Sequence, residues 1–332
     1  MLVASRNGLR ARIVTNPGRV EETVSLHFPE RSLKAIMGAI LCPKIRSFLS
    51  AMLKTIPVIN NKGGVGKTTT AVNLAAGLAD RGRDVLLVDL DSQGSASVSL
   101  GVDHDDLSPS SADVLFGDRS VEEAIRTTGR SRLDLLTGSL ELANADVRLK
   151  KQKNGQHRLK QVLSPVEDRY QTIIIDCAPS TSILSVNALV AADAFVIPVC
   201  PSYLALEGVV SLGEVVRRVR KGIGEAAPIL GLVLTMVGDG GADEADTMRE
   251  LRDHYGGKVF DTEIRSDPKL EEAPSRSQDI FRYAADSQGA LDYGELIDEV
   301  EERLHRYGSV YGDLLNRTTE NETSSAAAPV SG

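Results

Sequence analysis

The run Lys62-Gly63-Gly64-Val65-Gly66-Lys67-Thr68-Thr69 combines glycines, two lysines and a hydroxyl at the spacing that holds phosphate. The glycines let the backbone turn tightly and point successive N–H groups at anionic oxygens. Lys67 is placed to reach the β- and γ-phosphates, and the Thr68 hydroxyl to ligate Mg²⁺. The general pattern asks for glycine where Asn61 stands; in exchange an extra lysine, Lys62, opens the loop. A Gly-rich turn without a ligand needs no particular flanks. Here an apolar, strand-like run precedes the loop at residues 56–59 and a helical pattern follows at 69–81. The helix adds its positive N-terminal end to the site.

Two further segments carry carboxylates. Val85-Leu86-Leu87-Val88-Asp89-Leu90-Asp91 and Tyr170-Gln171-Thr172-Ile173-Ile174-Ile175-Asp176 are apolar runs that end in aspartate. Continuous Val/Ile/Leu runs suit strands buried on both faces of a parallel sheet. Ligands of such sheets gather beyond the carboxyl ends of the strands. Either segment alone reads as aspartate closing a strand-to-loop turn. Together with the phosphate loop they read as groups for Mg²⁺ and a water.

The elements that must position these groups alternate along the chain. Strands are expected at 53–60, 85–90, 133–137, 172–176, 194–199, 229–236 and 259–264. Helices are expected at 69–81, 111–115, 121–126, 139–151, 157–163, 184–191, 206–221, 243–255 and 290–307. That rhythm predicts an α/β fold, a doubly wound and mostly parallel sheet covered by helices on both faces, within one domain over residues 52–307. Residues 1–51 form a basic N-terminal extension, with eight basic residues against three acidic ones and no clean helix or strand period before Ser32. It reads as a disordered arm, as an accessory helix around Leu33, Ile36, Ile40 and Leu41, or as a start assigned upstream of Met52; the position of Met52 just before the first strand favours the last. Residues 308–332 read as a polar, disordered tail.

Composition narrows the partners. Of 332 residues, 42% are hydrophobic and 25% charged, an ordinary globular balance. The net charge of −8 is the wrong sign for a dedicated nucleic-acid protein, so any DNA contact must come from a local basic patch. Three cysteines, Cys42, Cys177 and Cys200, have no regular spacing, which speaks against a disulfide framework or a zinc site and for a reducing cytoplasm. No apolar run reaches the length of a membrane span.

The Lys62 loop, Asp89-Leu90-Asp91-Ser92-Gln93-Gly94 and Ile175-Asp176-Cys177-Ala178-Pro179 together resemble the ParA/MinD class of deviant-Walker P-loop ATPases. Downstream, Ala192-Asp193, Val196-Ile197-Pro198-Val199, Leu204-Ala205-Leu206-Glu207-Gly208, the run 229–236 and Glu272-Ala273-Pro274-Ser275 resemble Soj-type ParA partition proteins more than MinD. The resemblance covers about residues 52–306.

The resemblance implies ATP and Mg²⁺ as cofactors and a homodimer that sandwiches ATP. Lys62 would be the signature lysine that reaches the partner subunit's phosphates. Lys67 would neutralise the γ-phosphate, Asp91 would place the attacking water, and Asp176 would support Mg²⁺ beside Thr68, through water. Pro274 would lie near the base; where relatives often have Arg-Asn-Val-Arg-type wording, this chain has Asp267-Pro268-Lys269. The expected function is ATP-driven chromosome or plasmid partition by a slow ATPase that a ParB-like partner stimulates, cytoplasmic and nucleoid-associated. A related reading is a positioning ATPase for a protein cargo.

Non-specific DNA contact in the ATP state would use Arg217, Arg218, Arg220 and Lys221, with Arg265 and Lys269 as further candidates. Read from charge alone, the same residues are a solvated helix face. After Met236, many relatives carry a basic loop, whereas Asp239, Asp243, Glu244 and Asp246 stand here. A MinD-like membrane switch would need a basic amphipathic C-terminal helix; the last helix instead carries Glu295, Asp298, Glu299, Glu301 and Glu302. No membrane partner is expected.

Overall fold

The computed structural model describes residues 2–5, 8–11, 55–179, 181–202, 205–224, 227–238 and 240–325, with backbone alone at 205–207 and 307–325. The chain divides into two units, Met1–Met52 and Leu53–Gly332. In the first, β1 (Leu2–Ser5) pairs antiparallel with β2 (Gly8–Ala11), Leu2 opposite Ala11 and Ser5 opposite Gly8. The extension, where the sequence shows no clean strand period, thus carries an antiparallel strand pair at residues 2–5 and 8–11. The strand period was not legible because each arm is only four residues long. The helix considered around Leu33–Leu41 lies outside the described residues.

The second unit is built on an eight-stranded sheet. Its strands are β3 (Thr55–Val58), β4 (Val85–Leu90), β5 (Ile125–Thr127), β6 (Leu133–Leu136), β7 (Thr172–Cys177), β8 (Phe195–Val199), β9 (Ile229–Val237) and β10 (Val259–Arg265). They lie in the order β10-β9-β8-β3-β7-β4-β6-β5. Every pairing is parallel except β5 with β6, an antiparallel edge. Strands β3, β4, β7 and β8 are buried at every residue, as their unbroken apolar runs predict. Pro57 has no N–H, which is normally excluded from a central strand. Its neighbours show why the strand tolerates it. Thr55 donates its N–H to Asp193 Oδ2 and Ile59 to the Val196 carbonyl, so the missing donor falls on the β8 side. There the β3–β8 ladder is thin, with Val58 opposite Val196.

Among the described residues twelve α-helices flank the sheet: α1 (Lys67–Asp80), α2 (Ser95–Ser99), α3 (Ser111–Phe116), α4 (Val121–Ala124), α5 (Ala145–Lys150), α6 (Arg158–Leu163), α7 (Ile183–Ala191), α8 (Ala205–Ile223), α9 (Gly241–Tyr255), α10 (Pro268–Glu272), α11 (Ile280–Tyr283) and α12 (Gln288–Ser325). Two apolar cores result. One joins α1, α11 and α12 to one face of the sheet through Leu74, Leu78, Ile280, Tyr293 and Ile297. The other joins α3 and α5 to α9 to the opposite face through Leu115, Leu149, Leu189 and Leu212. Helix α1 packs so closely on the first core that a Cβ at Gly77 would overlap Ile297 and stand 3.0 Å from the Phe281 ring. The Thr70 and Tyr293 hydroxyls bond across the same contact at 3.1 Å.

The structure corrects the sequence reading at several elements. The helix expected at 121–126, opened by a capping box between Ser120 and Glu123, stops at Ala124, where Ile125 turns extended and the chain enters β5. The helix expected at 139–151 begins as a 3-10 turn over Leu140–Asn144. The last helix does not end at Tyr307. It runs on to Ser325, so the segment 308–332 expected as a disordered tail is helical as far as that residue. Its sequence has no proline before Pro329 to stop it.

Candidate functional site

The phosphate loop joins β3 to α1. Gly64 and Gly66 have φ of 70° and 76°, in the left-handed region that a side chain resists. Gly66 is the N-cap of α1, and its carbonyl accepts the Thr70 N–H at 2.8 Å. Gly63 and Gly64 are exposed, while Val65 is buried. The Val65 carbonyl accepts the Thr235 hydroxyl at 3.0 Å, which ties the loop to the end of β9. Residues 62–69 therefore form a glycine-lined helix entry, exposed at Gly63 and Gly64.

Lys67 is buried and donates its ammonium to the Lys62 carbonyl at 2.7 Å. Burial pulls its proton affinity down, and the nearby Asp176, Cys177 and Asp91 pull it back up. Lys62 faces elsewhere. Its ammonium donates to the Ser202 hydroxyl at 2.8 Å, and its N–H donates to Asn60 Oδ1 at 3.1 Å. Asn60 is itself buried and donates to the Pro198 carbonyl at 2.7 Å. The two lysines of the loop thus point to different places, one inward toward the carboxylates and one along the surface.

The carboxylates come from adjacent strands. Asp89 on β4 stands opposite Asp176 on β7 in the parallel register. Both are fully buried. Asp176 has both carboxylate oxygens buried without a regular hydrogen-bond partner. Burial, then the Asp89 charge, raise its proton affinity well above the usual range; the Thr68 hydroxyl and Lys67 oppose this. A buried anion without donors is costly. Two orphaned acidic oxygens near a hydroxyl are the oxygen donor set that a hydrated divalent cation satisfies. Thr68 and Asp176 fit Mg²⁺ on that ground.

Asp89 is fully engaged by contrast. Oδ2 accepts the Ser97 N–H at 3.0 Å and the Ser97 hydroxyl at 2.7 Å, and Oδ1 accepts the Asp91 N–H at 3.0 Å. Burial raises its pKa to about 6 against the pull of those bonds. Asp91 lies past the end of β4, half-buried, and its Oδ1 accepts the Gln93 N–H at 3.0 Å. Cys177, next to Asp176, is buried and its thiol is pushed well up by burial, so it is held as a thiol rather than a nucleophile.

The remaining predicted residues are dispersed. Pro274 sits in a 3-10 turn, Ala273–Arg276, that packs on α2. Arg265 is ion-paired with Asp292, and Lys269 with Glu272 at 2.7 Å. Arg217, Arg218, Arg220 and Lys221 are exposed on α8. Arg217 and Arg218 share Glu214, at 4.0 and 3.7 Å.

Sequence reasoning did not single out Asn60, Ser97, Gly138, Ser202 or Thr235. Their roles arise from contacts between distant segments. Only Gly138 carried a local signal, as a glycine directly after a strand.

The family model described as "AAA domain" matches residues 53–227. The sporulation initiation inhibitor protein Soj of Bacillus subtilis is 41% identical over 75% of this chain and 98% of its own length. The chromosome-partitioning ATPase Soj of Treponema pallidum is 38% identical over 76% of this chain and 98% of its own. Among solved structures, the cobyrinic acid a,c-diamide synthase of Mycobacterium smegmatis, with bound ADP and magnesium, superposes with a TM-score of 0.65 and 31% identity over 74% of this chain and 93% of that one. A chain with this loop, this sheet and these relatives belongs to the ParA/Soj-type partition ATPases of the ParA/MinD P-loop family.

Proposed function

We propose that the protein is an ATP-driven switch for chromosome or plasmid partition, which binds Mg·ATP, pairs with a second copy in that state and hydrolyses ATP slowly. The observation that carries this reading is Asp176, fully buried beside the Thr68 hydroxyl and the Lys67 ammonium, with no regular hydrogen bond to its carboxylate oxygens. Thr68 and Asp176 would hold Mg²⁺, which would supply positive charge against the phosphates. The chain's own residues do the rest. The loop N–H groups and the N-terminus of α1 hold the phosphates. Lys67 leaves the Lys62 carbonyl for the γ-phosphate. Asp91, at the mouth of the site, orients the attacking water. Lys62, turned away from Lys67 and only half-buried, is placed to reach the phosphates of a partner copy, as a cation supplied in trans would. Asp239, Asp243, Glu244 and Asp246 follow β9, so the DNA-facing patch is assigned to α8. Its apolar face is buried through Val209, Leu212, Val215 and Val219, which leaves Arg217, Arg218, Arg220 and Lys221 outward. A ParB-like partner would raise the turnover, and the ATP state would reside on the nucleoid in the cytoplasm.

A MinD-like membrane role is the weaker reading. Among the described residues no helix is long and apolar enough to cross a membrane, and the last helix is acidic where a lipid-binding helix is basic. A protein cargo in place of DNA would use the same ATPase core. The name of one solved relative, a diamide synthase, is the reason to measure ATP turnover without any second substrate. Turnover with ATP and Mg²⁺ alone, raised by duplex DNA or a ParB-like protein, supports the switch. Turnover that requires an added small-molecule acceptor overturns it.

A further inference from the structure

Asp91 belongs to a loop whose two ends are fastened by one buried side chain. The loop leaves β4 after Asp89 and Leu90 and enters α2 at Ser95. Asp89 reaches across it and accepts both the N–H and the hydroxyl of Ser97, at 3.0 and 2.7 Å. Ser97 is fully buried. Its oxygen also accepts the Gly138 N–H at 3.0 Å, so its one donor and one of its lone pairs are used. From the other side, Gly138 presses on the loop. A Cβ there would stand 2.5 Å from the Asp91 carbonyl oxygen and 2.6 Å from Asp89 Oδ1. Asp91 is itself held three ways: its N–H on Asp89, its carbonyl by the Gly94 N–H at 3.0 Å, and its carboxylate by the Gln93 N–H at 3.0 Å. The first of these depends on the Asp89 carboxylate staying where Ser97 fixes it.

We infer that Ser97 is a positioning residue for hydrolysis: its hydroxyl, clamped between Asp89 and the Gly138 N–H, holds the loop at the height where Asp91 meets the attacking water. Ser97 acts through Asp89 and Asp91. The inference rests on the reading of Asp91 as the water-orienting carboxylate. It adds a requirement that reading lacks, namely that the height of the loop above the sheet is set by a hydroxyl eight residues beyond Asp89 and by the absence of a side chain at Gly138. Displacement of a reacting group by about 1 Å costs on the order of 10²-fold in rate, whereas the hydrogen bonds of Ser97 go to Asp89, Gly138 and its own helix rather than to residues 62–69.

The test compares four full-length variants, Ser97→Ala, Ser97→Thr, Gly138→Ala and Asp91→Ala, in single-turnover ATP hydrolysis, ATP affinity and melting temperature. Ser97→Ala loses the clamp and Gly138→Ala pushes the loop from the opposite side. Both are expected to lose about 10- to 100-fold in rate with ATP affinity kept within about threefold. Ser97→Thr retains the hydroxyl and is expected to recover most of the rate. The inference is overturned if Ser97→Ala and Gly138→Ala hydrolyse at the parent rate while Asp91→Ala does not. It is also overturned if rate, affinity and melting temperature fall together, since that is the mark of simple unfolding. If Asp91→Ala itself keeps the parent rate, the underlying reading of Asp91 fails and this inference falls with it.

Discussion

Lys67 donates its ammonium to the carbonyl of Lys62 at 2.7 Å, so one lysine of the loop closes the loop onto the backbone of the other. The two side chains diverge from that point, Lys67 toward Asp176 and Lys62 toward Ser202. Shared backbone and divided direction give the two residues separable tasks.

Lys67→Ala is expected to abolish ATP binding, because the inward cation near Asp176 is lost. Lys62→Ala is expected to keep ATP affinity within a few-fold and to lose ATP-dependent dimerisation, hydrolysis or both. Nucleotide titration and light scattering check this. Equal loss of affinity in both variants, with no dimer in the parent, would refute the role of Lys62 in trans.

Asp91→Ala is expected to bind Mg·ATP and to dimerise, yet to hydrolyse about 10² to 10⁴ times more slowly, the usual worth of a positioned acid–base group. Single-turnover measurement separates this from slow product release. An unchanged rate would move the role to another residue.

The nucleotide-free protein is expected to lose stability as pH rises from about 4 through 6. Burial raises the Asp89 pKa from 3.8 to about 6, so the folded state binds that proton more tightly than the unfolded chain does. The stabilisation is therefore complete below 3.8 and is lost on the way up through 6. Asp176 shifts in the same direction. For Asp89 alone the effect is on the order of 3 kcal/mol by pH 7. Asp89→Asn should remove the share of that slope that Asp89 contributes, while the share of Asp176 remains. Urea melts of parent and variant at pH 4, 5.5 and 7 test it; parallel curves would show that Asp89 does not titrate in this range.

The ATP-bound dimer is expected to bind duplex DNA without sequence preference and to release it as salt rises. Each phosphate neutralised contributes about −0.9 to the slope of log affinity against log salt. Replacing Arg217 and Arg218 by alanine should flatten the slope by up to about 2 per subunit and weaken all sequences alike. ADP should weaken binding as well. An ATP-bound protein that ignores DNA at low salt but holds anionic vesicles would replace partition with the membrane reading.

Much of the fold could be read from the chain because its signals are local and redundant. Residues 85–90 form a strand with the boundaries expected from their apolar run, and the loop from Lys62 to Thr69 announces the strand before it and the helix after it. What escaped depends on partners far away in sequence. Ile125-Arg126-Thr127 becomes a strand only because β6 offers it an edge, against the helical pattern that leads into it. Asp89 was legible as one of a row of carboxylates, but its clamp on Ser97 was not, because Ser97 sits in a run of small residues with no pattern of its own. Arg265 and Lys269 look like free cations in a list of residues; in space each has an acidic neighbour, Asp292 and Glu272. Sequence counts charges but does not show which of them are already spoken for.

The absent side chain at Gly77 has a mechanical consequence. Where α1 meets Ile297 and Phe281 there is no room for even one methyl group, and the Thr70–Tyr293 bond pins the same seam one helical stretch nearer the phosphates. The helix that presents its N-terminus to the ligand is thereby keyed into α12 and cannot roll about its own axis without dragging that helix along. The phosphate platform behaves as a fixed anvil. Adjustment to an arriving or departing γ-phosphate falls to the glycine turn itself, where Gly63 and Gly64 are exposed.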